Sequence, residues 1–169
     1  EALKRKDYKT AYKLFLPLAE QGNTKAQSYV GYMYSTGQGV SQDYKEATKW
    51  YRLAAEQGEL NALYNLGYLY AEGEGVSKNY QEAKKLWELA AEQGEVTAQF
   101  NLGKLYEKGE GVPYDLEQAI KYYHFASKQN LAEAQQNLAQ IYHYGPSNIQ
   151  DHYKAHQLYI KAAQKDVKE

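Results

Sequence analysis

The 169-residue chain contains no cysteine. Disulfide frameworks, thiolate metal sites and cysteine nucleophiles are therefore excluded. Proline (3), phenylalanine (3), tryptophan (2) and methionine (1) are scarce, and few prolines leave helices uninterrupted. Neither sign of charge dominates, with 20 Lys and Arg against 21 Asp and Glu. No long-range field then steers the chain toward nucleic acid or an anionic membrane. No basic run of the kind a phosphate backbone needs is present. No segment reaches the roughly 18 consecutive apolar residues of a membrane-spanning helix. Nucleic acid and direct membrane insertion are thus not expected among its partners. The chain begins at Glu1 with an unpaired second helix, so an upstream segment is expected to have been removed.

Tyrosine, by contrast, is abundant at 19 residues. A chain rich in Tyr and Ala but poor in Pro and in branched strand formers reads as helical, with large residues packed on small ones. A repeat settles the organisation. The segment Gln21-Gly22-Asn23-Thr24-Lys25-Ala26 returns as Gln57-Gly58-Glu59-Leu60-Asn61-Ala62, as Gln93-Gly94-Glu95-Val96-Thr97-Ala98 and as Gln129-Asn130-Leu131-Ala132-Glu133-Ala134, every 36 residues. Other columns follow the same spacing: Val30, Leu66, Leu102, Leu138; Tyr34, Tyr70, Tyr106, Tyr142; Ala47, Ala83, Ala119, Ala155; and Ala54, Ala90, Ala126, Ala162.

Each unit predicts two helices. The first carries Ala-x3-Leu-x3-Tyr, a spacing that keeps one face apolar. Inside it sits Gly31, Gly67, Gly103 or Ala139. A mid-helix Gly costs about 1 kcal/mol relative to Ala, so its recurrence predicts a close approach by a neighbouring helix. The turn is Gly-x-Gly-Val, at Gly37, Gly73 and Gly109, and the first Gly suits a left-handed cap. The second helix opens on an expected capping box, Asp43 with Glu46, Asn79 with Glu82, Asp115 with Gln118. Gly22, Gly58 and Gly94 end these helices, and Asn130 stands in for Gly.

The spacing predicts helices over 5–21, 24–36, 43–57, 60–72, 79–93, 96–108, 115–129, 132–144 and 151–165. They form one domain over 1–169: a half repeat at 1–22, full repeats at 23–58, 59–94 and 95–130, and a degenerate capping repeat at 131–166. A lone unit cannot bury its apolar face, so neighbours must stack. The fold class is all-α, a solenoid of antiparallel helix pairs.

The unit Ala-x3-Leu-Gly-x2-Tyr-x2-Gly-x-Gly-Val-x2-Asp-Tyr-x2-Ala-x2-Trp-Tyr-x2-Ala-Ala-x2-Gly, nearly complete over residues 26–58, resembles the Sel-one-like repeat, a relative of the tetratricopeptide repeat. The resemblance covers essentially the whole chain. It implies a right-handed superhelix that serves as a protein-binding adaptor, and a bacterial, exported or periplasmic setting, with a cytoplasmic one left open. One cysteine-rich bacterial branch of the family is linked to penicillin binding and β-lactamase activity, but its cysteines are missing from this chain.

Several local patterns resolve into structure. Gly73-Glu74-Gly75-Val76-Ser77-Lys78 looks superficially like a phosphate loop, yet a helix precedes it where such a loop needs a strand. Neither Ser-x-x-Lys nor Gly-x-Ser-x-Gly occurs, which argues against serine chemistry. His152 and His156 stand four apart after Asp151, and His143 could join them; surface or packing roles are favoured over a metal, and Asp151 reads as a helix cap. No cofactor is expected. Tyr34, Tyr70, Tyr106 and Tyr142 read as packing rings with hydroxyls at an edge.

By the resemblance, first helices line the concave face, with an inward set of Lys25, Ser28, Tyr32, Ser35; Asn61, Tyr64, Tyr68, Glu72; Thr97, Phe100, Lys104, Lys108; and Glu133, Gln136, Gln140, Tyr144. Of these, Lys25, Ser28, Tyr32, Asn61, Tyr64, Tyr68, Phe100, Lys104, Gln136 and Gln140 are the expected partner-binding residues. Tyr32, Tyr64, Tyr68 and Phe100 would form an aromatic strip. Two readings of it stay open: anchors for a guest, or rings packed between first helices. A Lys/Asn/Arg carboxylate clamp is not expected, since only Lys104 fits one. The leading expectation is a scaffold for a peptide or protein segment and not an enzyme, with a β-lactam- or cell-wall-directed enzyme and a structural spacer as alternatives.

Overall fold

The computed structural model describes residues 7–166, with side chains to residue 164. Among the described residues the chain forms nine α-helices and no strand: α1 (Tyr8–Glu20), α2 (Thr24–Thr36), α3 (Tyr44–Glu56), α4 (Leu60–Glu72), α5 (Tyr80–Glu92), α6 (Val96–Lys108), α7 (Leu116–Lys128), α8 (Ala132–Tyr144) and α9 (His152–Asp166). Each expected helix is present, and among the described residues its ends fall within one residue of expectation. The expected start of the first helix, at residues 5 and 6, lies outside the described residues. The chain divides into two compact units, Glu1–Gln93 and Gly94–Glu169. In the first, α2 packs on α1 and α3, α4 packs on α3 and α5, and α2 also touches α4. In the second, α7 packs on α6 and α8, and α9 on α8.

Small residues let these helices approach, and large rings fill what remains. Ala47, Ala54, Ala83, Ala90, Ala119 and Ala126 are all fully buried. Against each first helix lies one ring from the second: Tyr51, Trp87 or Tyr123, each buried. The mid-helix glycines are their seats. A Cβ at Gly31 would come within 2.8 Å of the Tyr51 ring, at Gly67 within 2.5 Å of Trp87 Nε1, and at Gly103 within 2.6 Å of Tyr123. The expected close approach is thus made by an aromatic side chain. Burying one such ring contributes about 1.5–3 kcal/mol, more than the helix-propensity cost of the glycine beneath it.

The turns are fixed from both sides. Gly37, Gly73 and Gly109 are left-handed, and their N–H groups donate to Met33, Leu69 and Leu105. The second glycine meets a different demand, because a Cβ at Gly39 or Gly75 would strike the carbonyl of Tyr8 or Tyr44 at the start of the preceding repeat's second helix. Across each turn a tyrosine carbonyl holds the next helix. The N–H of Asp43 donates to Tyr34 O at 2.9 Å, Asn79 to Tyr70 O at 2.8 Å, Asp115 to Tyr106 O at 3.0 Å and Asp151 to Tyr142 O at 2.8 Å. The last turn, Gly145-Pro146-Ser147-Asn148-Ile149-Gln150, differs in sequence and arrives at the same tether.

That tether corrects the expected capping box. The cap side chains do accept as expected: Asp43 from the N–H of Lys45 and Glu46, Asn79 from Gln81 and Glu82, Asp115 from Gln118. The return bond of a box would need the cap's own N–H, which is already donated to the tyrosine carbonyl. Glu46 and Glu82 instead pair with Lys49 and Lys85. Asn130 adopts φ 64°, the one positive φ outside glycine among the described residues, as expected of a glycine substitute.

Candidate binding face on the first helices

Along a first helix the residues toward the second helix sink and the others remain in solvent. On α2, Ala26, Val30, Gly31 and Met33 are buried; on α4, Ala62, Leu63, Leu66, Gly67 and Leu69 are buried. The opposite side in the first unit keeps Lys25, Tyr32, Asn61, Tyr68 and Glu72 exposed. Tyr32 and Tyr68 show 44% and 43% of their surface, and their hydroxyls bond to nothing among the described residues. The tyrosines that hold the fold behave differently. Tyr51 OH lies 3.3 Å from Ser35 Oγ, Tyr12 OH 2.8 Å from Tyr34 OH, and Tyr70 OH accepts from Arg52 at 3.0 Å. Burial, above all, raises the Tyr51 hydroxyl well beyond the usual phenol range.

In the first unit, three members of the expected inward set are drawn inward. Ser28 is buried, at 8% exposure, one turn before the Gly31 seat on which the Tyr51 ring rests, so its small side chain is covered where an inward-facing one was expected. Tyr64 is half-buried, and its carbonyl accepts from Trp87 Nε1 at 3.1 Å. Ser35, also half-buried, donates to Tyr32 O at 2.9 Å.

In the second unit, Phe100 is half-buried and tilts 43° against Tyr123, ring centres 5.6 Å apart. Lys104 Nζ lies 5.7 Å from the Phe100 ring centre, a cation–π distance. Tyr123 OH donates to Glu107 Oε2 at 2.5 Å, and burial, followed by that bond, pushes the hydroxyl far above its ordinary range. Thr97 is half-buried; Lys108, Glu133, Gln136, Gln140 and Tyr144 are exposed. Sequence reasoning passed over Glu74 and Glu107. Glu74 looked like turn punctuation, though it stands six residues after Tyr68. Glu107 shares its column with Ser35 and Ala71, which hid its role as the partner of a buried phenol.

The histidines are brought together only in part. The His143 and His152 rings lie 5.0 Å apart, edge to face, with Tyr159 at 6.5 Å from His143. Among the described residues no three His, Asp or Glu side chains are grouped as a metal ion would need. Asp151 accepts from Lys154 N at 2.9 Å and pairs with Lys154 Nζ at 3.0 Å, which holds its carboxyl below the usual range. It is the cap of α9.

Known proteins share this architecture. The Sel1 repeat model matches residues 2–23, 24–59, 60–95, 96–131 and 132–167. A Sel1 repeat protein from Oxalobacter formigenes is 39% identical and superposes with a TM-score of 0.85 over 93% of this chain and 64% of its own. The c5321 protein, a protective antigen present in uropathogenic Escherichia coli strains and displaying an SLR fold, is 36% identical, with a TM-score of 0.87 over 91% of this chain and 33% of its own. The chain thus spans under two thirds of the one relative and a third of the other. Helicobacter pylori cysteine rich protein B, at 20% identity and a TM-score of 0.59 over 76% of this chain and 92% of its own, shares the fold. No curated protein matches the chain.

Proposed function

The chain belongs to the Sel1 repeat family, and from that premise we propose that it works as a scaffold docking a peptide or protein segment on its first-helix face. Proteins of this family are generally non-catalytic, protein-binding scaffolds. One observation carries the finer reading. Tyr32 and Tyr68 leave 44% and 43% of their surface in water, while every buried tyrosine named above earns its place by packing or by a bonded hydroxyl. Large, stiff side chains with a free polar tip are the usual anchors of a docked segment. Asn61 and Lys25, exposed on the same helices, add donors that an extended backbone could use.

Random-sequence peptides selected on the chain test this reading. Their binding should weaken at least tenfold on a Tyr32→Ala, Tyr68→Ala double variant whose circular dichroism matches the parent. Peptides that bind the double variant as tightly as the parent would contradict it.

A further inference from the structure

Two glutamates at the end of α4 are not used by the fold. Glu72 follows Tyr68 by one helical turn and is exposed; Glu74, in the turn beyond, is half-buried. Neither carboxylate makes a hydrogen bond or an ion pair with any described residue. Among the other described glutamates of this unit, Glu46, Glu82 and Glu88 pair with Lys49, Lys85 and Lys84, Glu59 caps α4, and Glu20, Glu56 and Glu92 end the second helices α1, α3 and α5, off this face. Tyr68 sits in the field of the free pair, since burial first, then the charges of Glu72 and Glu74, raise its hydroxyl. Tyr32 holds the same repeat position on α2, which touches α4.

Across α2 and α4 the one cationic side chain is Lys25. It stands eleven residues before Thr36, about 16 Å along the helix at 1.5 Å per residue. Lys78, in the turn with Glu74, has its Nζ 4.8 Å from the Tyr80 ring centre. The end of this face therefore combines open tyrosine rings with uncompensated negative charge. That pairing is the chemistry of cation recognition: the ring quadrupole attracts a cation, and a carboxylate bonds it. In the second unit the positions of Tyr68 and Glu72 hold Lys104 and Lys108, and only that of Glu74 keeps its charge, as Glu110, so the combination belongs to this ledge and not to the repeat as such.

We propose that the ledge of Tyr32, Tyr68, Glu72 and Glu74 seats a basic side chain of the docked segment, arginine in preference to lysine because its plane can stack on tyrosine while its fork bonds a carboxylate. The inference rests on the docking reading above and names the chemistry of its guest.

The selected random-sequence peptides supply the probe. Those lost on the Tyr32→Ala, Tyr68→Ala variant should carry an arginine or lysine, and replacing it with glutamine should weaken binding about fivefold or more. A Glu72→Gln, Glu74→Gln variant, which breaks no bond of the fold, should weaken binding by a similar factor and flatten its dependence on salt. Peptides that need the tyrosines yet are neutral or acidic, and bind the glutamine variant unchanged, would overturn the basic seat and leave the docking reading standing. Peptides indifferent to the tyrosines would overturn both.

Discussion

Tyr68 in the first unit and Lys104 in the second occupy one position of the repeat, as do Glu72 and Lys108. Immediately beneath them, Leu66 and Leu102, Gly67 and Gly103, Leu69 and Leu105 are matched and buried. Where a buried position does change, its partner changes with it. Tyr51 meets Ser35 and Tyr123 meets Glu107, but Trp87 stands over Ala71's column and sends its N–H to Tyr64 O instead. Gln57 donates to Gln27 at 2.8 Å and Gln129 to Gln99 at 2.9 Å. Leu63 offers Gln93 no acceptor, so that amide keeps only the bond to Leu89 O at 3.2 Å, which Gln57 also makes, to Leu53 O. A buried polar group left unpaired is costly, so changes there come in sets, with Gln135 Oε1 an exception in the last repeat. Exposed positions carry no such obligation, and they are where the two units diverge.

The sharpest way to break this comparison is to empty a socket. Trp87→Ala removes a side chain only 4% exposed and should cost about 3–5 kcal/mol in urea unfolding followed by circular dichroism. Tyr159→Ala, at a half-buried ring in the equivalent column, should cost clearly less. Equal losses would mean that the glycine seat of Gly67, replaced by Ala139 in the last repeat, adds nothing to the hold on the ring.

A smaller effect separates backbone from packing at the helix ends. Gly58 has φ 79° and nothing within 4 Å of where a Cβ would stand. Gly58→Ala should therefore cost about 1–2 kcal/mol through backbone strain alone. Gly58→Asn should recover most of it, because Asn130 already adopts this conformation in the other unit. The same unfolding experiment reads both.

The smallest expected effect depends on pH. Asn79 caps α5 without a charge, whereas the Asp151 cap of α9 has its carboxyl held below the ordinary range by Lys154, chiefly by its backbone N–H. A depressed carboxyl adds stability that is complete above the unfolded value of about 3.9 and fades as pH falls through the lower folded one. Acid titration of α9, followed by NMR, should show that step, and Asp151→Asn should abolish it. The α5 cap should show none.

The sequence carried whatever depends on local spacing. Helix positions, the left-handed Gly37, Gly73 and Gly109, the stand-in Asn130 and the crowding at Gly31, Gly67 and Gly103 could all be read from the 36-residue register. Features set by tertiary contacts were hidden. The capping box looked reciprocal until the Tyr34 and Tyr70 carbonyls claimed the cap N–H groups. Ser28 looked inward-facing because periodicity places a Cα on a helix face and cannot say how much its neighbours cover. Phe100 was grouped with Tyr32 and Tyr68, but contact with Tyr123 draws it partly inward. The free charges of Glu72 and Glu74 are likewise visible only once the ion pairs of Glu46, Glu82 and Glu88 are seen to lie on the second helices.

Gly67 and Tyr68, adjacent in sequence, stand on opposite sides of the division between frame and face, and measuring the unfolding free energies of Gly67→Ala and Tyr68→Ala side by side tests it most directly. Gly67→Ala should lose about 1–2 kcal/mol, an overpacking cost against Trp87 that outweighs the gain in helix propensity, while Tyr68→Ala should stay within about 0.5 kcal/mol of the parent. A loss at Tyr68 as large as that at Gly67 would show the exposed ring to be part of the frame, and would contradict the account.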